Sequence, residues 1–251
     1  MLLESFRKWP STGRSKFAIT PGGFVKGDFP SPWSGGVGWN SSSADLDLLV
    51  PEAERLVSAC LTKDVLATAK SRTRVLTIGA DLLDGDEGEH VELVAIVDCD
   101  TGAIVNWTGK SYPTKDQETT LVQVADVRSH LIEIADERVL VLGCHDINMF
   151  SERSRSNQRP DSPRWRRCEE MVRAAKRFRP TVVLQHPHTT DSPRIWQTAW
   201  GGISNCPTVR VYASAIRYDN CWGGKPRKPL DCVRTGTCSK TGVDDVIVKP
   251  R

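Results

Sequence analysis

The chain has 251 residues, 39% of them hydrophobic and 26% charged, with a formal net charge of +3. That length buries a sizeable core without disulfide staples, as one large domain or two small ones. The small positive charge is spread among balancing acids, so it defines no nucleic-acid face, and no apolar run reaches the ~18 residues of a membrane span.

The opening residues, MLLESFRKWPSTGRSK, carry an acid at position 4 and lack the apolar stretch of a secretory signal. Residues 1–15 read as a poorly ordered lead-in to a single domain over residues 16–251. The reading is therefore of a cytoplasmic protein with reduced thiols.

KFAIT (16–20) is a short strand, and the Gly-, Pro- and Ser-rich residues 21–43 are loop. LDLLV (46–50) reads as a buried strand broken by Pro51, and residues 52–71 have helical composition. RVLTIGADLL (74–83), HVELVAIVD and AIVNWTG read as strands joined by turns. Residues 129–135 and 138–142 are two further strands. Asp161 or Ser162 caps an amphipathic helix with Pro163 in its first turn, and TVVLQHPH is the next buried strand. The dense basic run 164–179 also holds Glu169 and Glu170 and is a solvated helix face. RIWQTAWGGI is a helix stopped by Gly201-Gly202, residues 208–217 are a strand, and a last strand covers 245–248. Strands alternating with helices, and strand following strand in the middle, predict an α/β protein with a mixed sheet or two sheets.

Cys60, Cys99 and Cys168 lie in apolar-periodic segments and read as core. Cys206, Cys221, Cys232 and Cys238 crowd the C-terminal quarter without a CxxC pair, so no zinc site is expected.

Three reactive side chains stand just past apolar segments: Glu52 after LDLLVP, Lys110 after AIVNWTG, and Cys144 after RVLVLG. The ends of α/β strands are where reacting groups gather. A thiolate to attack carbon, a carboxylate to take its proton and an ammonium to steady the developing charge form a workable hydrolytic set.

These motifs, in this order, resemble the nitrilase or carbon–nitrogen hydrolase superfamily. DLDLLVPE stands for the family's Pro-Glu motif, AIVDCDTGAIVNWTGKSYP for its lysine motif and RVLVLGCHDINMF for its cysteine motif, with Lys110 and Cys144 34 residues apart. The resemblance covers roughly residues 16–248 and implies a four-layer αββα sandwich. It implies a Glu-Lys-Cys enzyme that cleaves a non-peptide C–N bond through a thioester, an amide in preference to a nitrile. Glu52 would move the proton, Cys144 would attack, and Lys110 with the backbone N–H of His145 would hold the oxyanion. Glu118 would assist as the family's second glutamate, and His186 and His188 would line the substrate pocket. The implied enzyme needs no metal or organic cofactor, binds a small-molecule amide and forms a homodimer or larger assembly.

Two other readings compete. A catalytically inactive nitrilase-like scaffold would tolerate divergence at both ends. A metal-dependent phosphoesterase would use His145, His186 and His188 with acids at strand ends, but that chemistry needs an early Asp-x-His pair, and every histidine lies at position 90 or later.

Overall fold

The structure is a computed structural model that describes residues 2–8, 13–84, 88–188, 193–204, 206–215, 221–222 and 225–226. The expected strand at 245–248, Cys232 and Cys238 lie outside the described residues. The lead-in is not featureless: α1 (Leu2–Lys8) buries Leu2 and Phe6.

Two sheets organise the chain. The first holds β1 (Ser15–Ile19), β2 (Val25–Asp28), β3 (Thr73–Leu83), β4 (His90–Asp98) and β5 (Ile104–Gly109). β1 and β2 pair in parallel with the two halves of the long β3, while β4 runs antiparallel between β3 and β5. The second sheet has the order β6 (Leu131–Ile134), β7 (Glu137–Leu142), β8 (Val182–Gln185), β9 (Val211–Ser214). β6 is antiparallel to β7, and β7, β8 and β9 are parallel, so β7 and β8 release their following residues at one edge.

The predicted strand over 46–50 is instead helix. α2 (Ser43–Cys60) runs through Pro51, and α3 (Lys63–Arg72) comes after it. Ser42 and Asp45 form a capping box, and Leu49, Ala53 and Val57 bury one stripe at helical spacing. A short apolar run does not separate strand from buried helix by period alone; here the cap and the stripe beyond Pro51 decide. α5 (Pro163–Phe178) starts at the Ser162 cap as the sequence predicts; it is preceded by the short α4 (Glu152–Ser156). α6 (Pro193–Ser204) continues through Gly201-Gly202 rather than stopping there.

Three apolar clusters fill the molecule. One joins α2 and α3 residues such as Leu49, Val57 and Val65 to Leu76, Ile78 and Leu93 of the first sheet. A second joins Leu140, Leu142 and Val183 of the second sheet to Met171 of α5 and Trp196 of α6. Between them, Val75, Val94 and Ile96 of the first sheet share a cluster with Val139, Val141, Val182 and Leu184 of the second. The two sheets thus face each other through aliphatic side chains, and the residues just past their strands meet at a common edge.

Candidate active site

At that edge the first sheet contributes charge. Asp81 and Glu92 are direct partners across β3 and β4, and Lys110 is the first residue after β5. All three are buried, among strands that are largely apolar. A charge held there must be paired or it neutralises. Lys110 Nζ donates to Glu92 Oε1 at 2.7 Å, and Gln117 Nε2 donates to the same oxygen at 3.1 Å.

The second sheet contributes a thiol and an imidazole. Cys144 lies two residues past β7 and His188 three past β8. His188 Nε2 is 2.8 Å from Asp81 Oδ2, and its Nδ1 is 3.7 Å from Glu92 Oε2. Donor atoms of Glu92, Cys144 and His188 all lie within 4.8 Å of one another. Carboxylate, ammonium, thiol and imidazole therefore converge from four strands of two sheets.

The residues flanking the cysteine explain why the edge closes. Asp146 is fully buried and accepts from the backbone N–H groups of Ser111 (2.9 Å), Tyr112 (2.8 Å) and Gly143 (2.9 Å). One carboxylate thus ties the end of β5 to the end of β7, placing Lys110 beside Cys144. Gly143 is required by that approach: a Cβ there would stand 2.8 Å from Lys110 Cα. Gln185 Nε2 donates to the Cys144 carbonyl at 3.1 Å. The Pro21-Gly22-Gly23 loop lies over the imidazole, Gly22 N–H donating to Pro187 O at 3.0 Å. A Cβ on Gly22 would meet His186 O at 2.7 Å, and Gly23 adopts a positive φ of 59° against Asp81.

The electrostatics come from this packing. Burial pushes the Cys144 thiol up, but His145 and His188 outweigh it and bring it down to about 6. Burial opposes the charge on His188, yet Asp81, Glu92 and Cys144 hold the imidazolium well above the usual histidine range. Glu92 is likewise penalised by burial, and Lys110 and His188 bring it down to about 2. Lys110 is raised, since Glu92 and Cys144 together outweigh its desolvation. The site holds its charges as alternating neighbours.

Of the residues singled out from the sequence, Lys110, Cys144 and His188 are brought together. Glu52 is not among them: it lies on α2, and its partly exposed carboxylate accepts from Arg55 Nε at 2.8 Å. Once residues 46–50 are helix, Glu52 no longer stands after a strand. Glu118 is also not among them: it pairs at 2.7 Å with Arg164, whose guanidinium lies over the Tyr112 ring. His145 is next to Cys144 in the chain and hydrogen-bonds its thiol through the side chain. His186 is buried at the end of β8, where desolvation lowers it to about 4 and keeps it neutral. The phosphoesterase grouping of His145, His186 and His188 is therefore not the cluster formed. Asp81 enters the sequence reading only as an acid of the phosphoesterase alternative, and Glu92, inside the largely apolar β4, is not singled out there at all.

No protein-family model matches the chain, and no curated protein sequence does. Among solved structures, the amidase NitN from Nesterenkonia sp. AN1 is similar at a TM-score of 0.52, with 14% identity over 89% of this chain and 72% of that one. A variant of the same amidase showing Michael addition of acrylamide at its active-site cysteine has a TM-score of 0.50, 13% identity and coverage of 85% and 70%. A further variant, described as from the nitrilase superfamily, has a TM-score of 0.48, 14% identity and coverage of 85% and 69%. The chain thus shares the mixed two-sheet α/β fold of that amidase.

Proposed function

We propose that the protein is a carbon–nitrogen hydrolase that opens a small amide through a thioester on Cys144, within an αββα arrangement of helix, sheet, sheet and helix layers. The observation that carries this reading is the convergence of Glu92, Lys110 and Cys144 at one buried edge. Glu92 is the carboxylate of this set, in place of the Glu52 expected from the Pro-Glu motif.

In this reading the Cys144 thiolate attacks the amide carbon. The Lys110 ammonium and the backbone N–H of His145 face the oxygen as it gains charge, and such preorganised donors act more strongly in a buried site than in water. Glu92 keeps the ammonium charged and aimed. Amine leaves, a thioester remains, and water then releases the acid.

Ammonia release from a panel of short aliphatic and aromatic amides, with the matching nitriles, tests the reading. Amides are expected to be cleaved, Cys144→Ala is expected to abolish cleavage, and a chelator is expected to leave the parent rate unchanged. Loss of activity on chelation, restored by manganese or zinc, overturns the thiol mechanism.

A further inference from the structure

We propose that His188, oriented by Asp81, is the proton carrier of this site, so that Cys144, His188 and Asp81 form a working triad while Glu92 serves only to hold Lys110. The inference rests on the thioester reading of the site and deepens it.

The geometry separates the two acids. Glu92 Oε1 is engaged by both Lys110 Nζ and Gln117 Nε2. A carboxylate so held, and brought down to about 2, is a weak base for a thiol. His188 is placed differently. Its Nε2 is fixed on Asp81 at 2.8 Å and its Nδ1 lies 3.7 Å from Glu92 Oε2, while the ring also hydrogen-bonds the Cys144 thiol. An imidazole with one nitrogen on an orienting carboxylate and the other on a nucleophile is the arrangement a proton shuttle needs. The Gly22-Gly23 loop covers the ring and leaves it little room to turn.

The charged groups around the pair act together. His188 faces Asp81, Glu92 and Cys144; Cys144 faces His145, His188 and Lys110; His90 Nε2 lies 3.9 Å from Glu92, and Asp146 lies behind Lys110. At neutral pH the thiol proton resides on His188. The thiolate adds to the amide carbon, and the C=O electron pair moves to oxygen. That pair then returns as the C–N bond breaks, and the nitrogen takes the His188 proton to leave as neutral amine. Neutral His188 next takes a proton from water as its oxygen adds to the thioester carbon. Collapse breaks the C–S bond, restoring thiolate and imidazolium and releasing the carboxylic acid, whose proton passes to solvent.

The test needs no substrate in its first arm. Iodoacetamide labelling of Cys144 is followed by mass spectrometry from pH 4 to 10 in the parent and in His188→Gln, Asp81→Asn and His145→Gln. The readout is the midpoint of the profile, because a thiolate of higher pKa is also more nucleophilic. The parent midpoint is expected near 6. His188→Gln is expected to raise it by about 1 unit toward the ordinary thiol value, with the share of His145 left in place, and Asp81→Asn to raise it by less. A midpoint unmoved in His188→Gln, or moved in His145→Gln alone, overturns the proposal. If His188→Gln does not fold, nitrogen chemical shifts of His188 in the parent decide: an imidazolium at pH 7 supports the pair, and a neutral ring overturns it. In the second arm, His188→Gln is expected to reduce amide turnover more than turnover of a nitrophenyl ester, whose leaving group needs no proton. Equal losses refute proton delivery by His188. A chain that labels as expected but cleaves no amide keeps the ion pair and loses the hydrolase reading, so the two failures are distinct.

Discussion

Glu92 and Glu52 each pair with a cation, and the two pairs behave as different chemistry. Glu92 meets Lys110 in a strand interior, with both partners buried and aliphatic strands around them. Glu52 meets Arg55 one helical turn away on α2, where Arg55 is fully exposed. In the first place water cannot substitute for the partner; in the second it can, and salt screens what remains. The difference teaches that an acid's neighbours in sequence say little about its task. Its surroundings decide whether its charge is held for use or merely solvated.

The sharpest way to break this comparison is to remove one buried partner. Lys110→Met leaves the Glu92 carboxylate without its ammonium. Breaking one side of a buried pair costs about 3–5 kcal/mol. A large loss of stability is expected in urea unfolding, alongside loss of turnover. The double variant Glu92→Gln/Lys110→Met removes the orphaned charge and should recover much of that stability while remaining inactive. If the double variant is no more stable than Lys110→Met, Glu92 and Lys110 do not act as one buried unit.

The same contrast explains what was legible in the sequence. Cys144 and Lys110 were readable because each comes after an apolar strand, and a strand end fixes a side chain at the sheet edge. Glu92 was not, since a strand such as HVELVAIVD tolerates a polar residue on a solvated face; only the opposing sheet makes that face interior. Asp81 in TIGADLL is legible as an acid that could hold a metal, but not as the partner of His188. Glu52 misled because LDLLVPE fits a strand ending in a loop, while Ser42 and Asp45 had already capped a helix ahead of it. The parallel β7–β8 pair was predictable as two buried strands, but not the register that sets Leu142 beside Gln185 and so brings Cys144 and His188 to one edge. Within the stretch 21–43 read as loop, residues 25–28 instead form β2 on the long β3, and nothing local shows that Pro21-Gly22-Gly23 covers an imidazole.

A smaller effect probes the tie that brings the two sheets' residues together. Asp146 Oδ1 accepts from Ser111 and Tyr112, and Oδ2 accepts from Gly143. Asp146→Asn keeps one oxygen but turns an N–H₂ toward a backbone N–H, leaving buried donors unmatched. An unsatisfied buried group costs about 1–3 kcal/mol. A loss in that range is expected by thermal or urea unfolding. Turnover should fall by more than the stability loss explains, because Lys110 and Cys144 are then free to separate. Full activity in a stably folded Asp146→Asn would show that the tie is unnecessary for the site.

The smallest effect is expected at the surface pair. Glu52→Gln removes a carboxylate that accepts from Arg55 and, among the described residues, from no other side chain. Arg55 is fully solvated, so water replaces the lost partner, and the helix keeps its Ser42–Asp45 cap and its Leu49, Ala53 and Val57 stripe. No measurable change in Tm and turnover equal to the parent are expected. Glu92→Gln, assayed beside it, should lower turnover, because the ammonium then loses the acceptor that aims it. If Glu52→Gln abolishes turnover in a folded protein while Glu92→Gln retains it, the sequence-derived assignment is restored and α2 must move to deliver its carboxylate during the reaction.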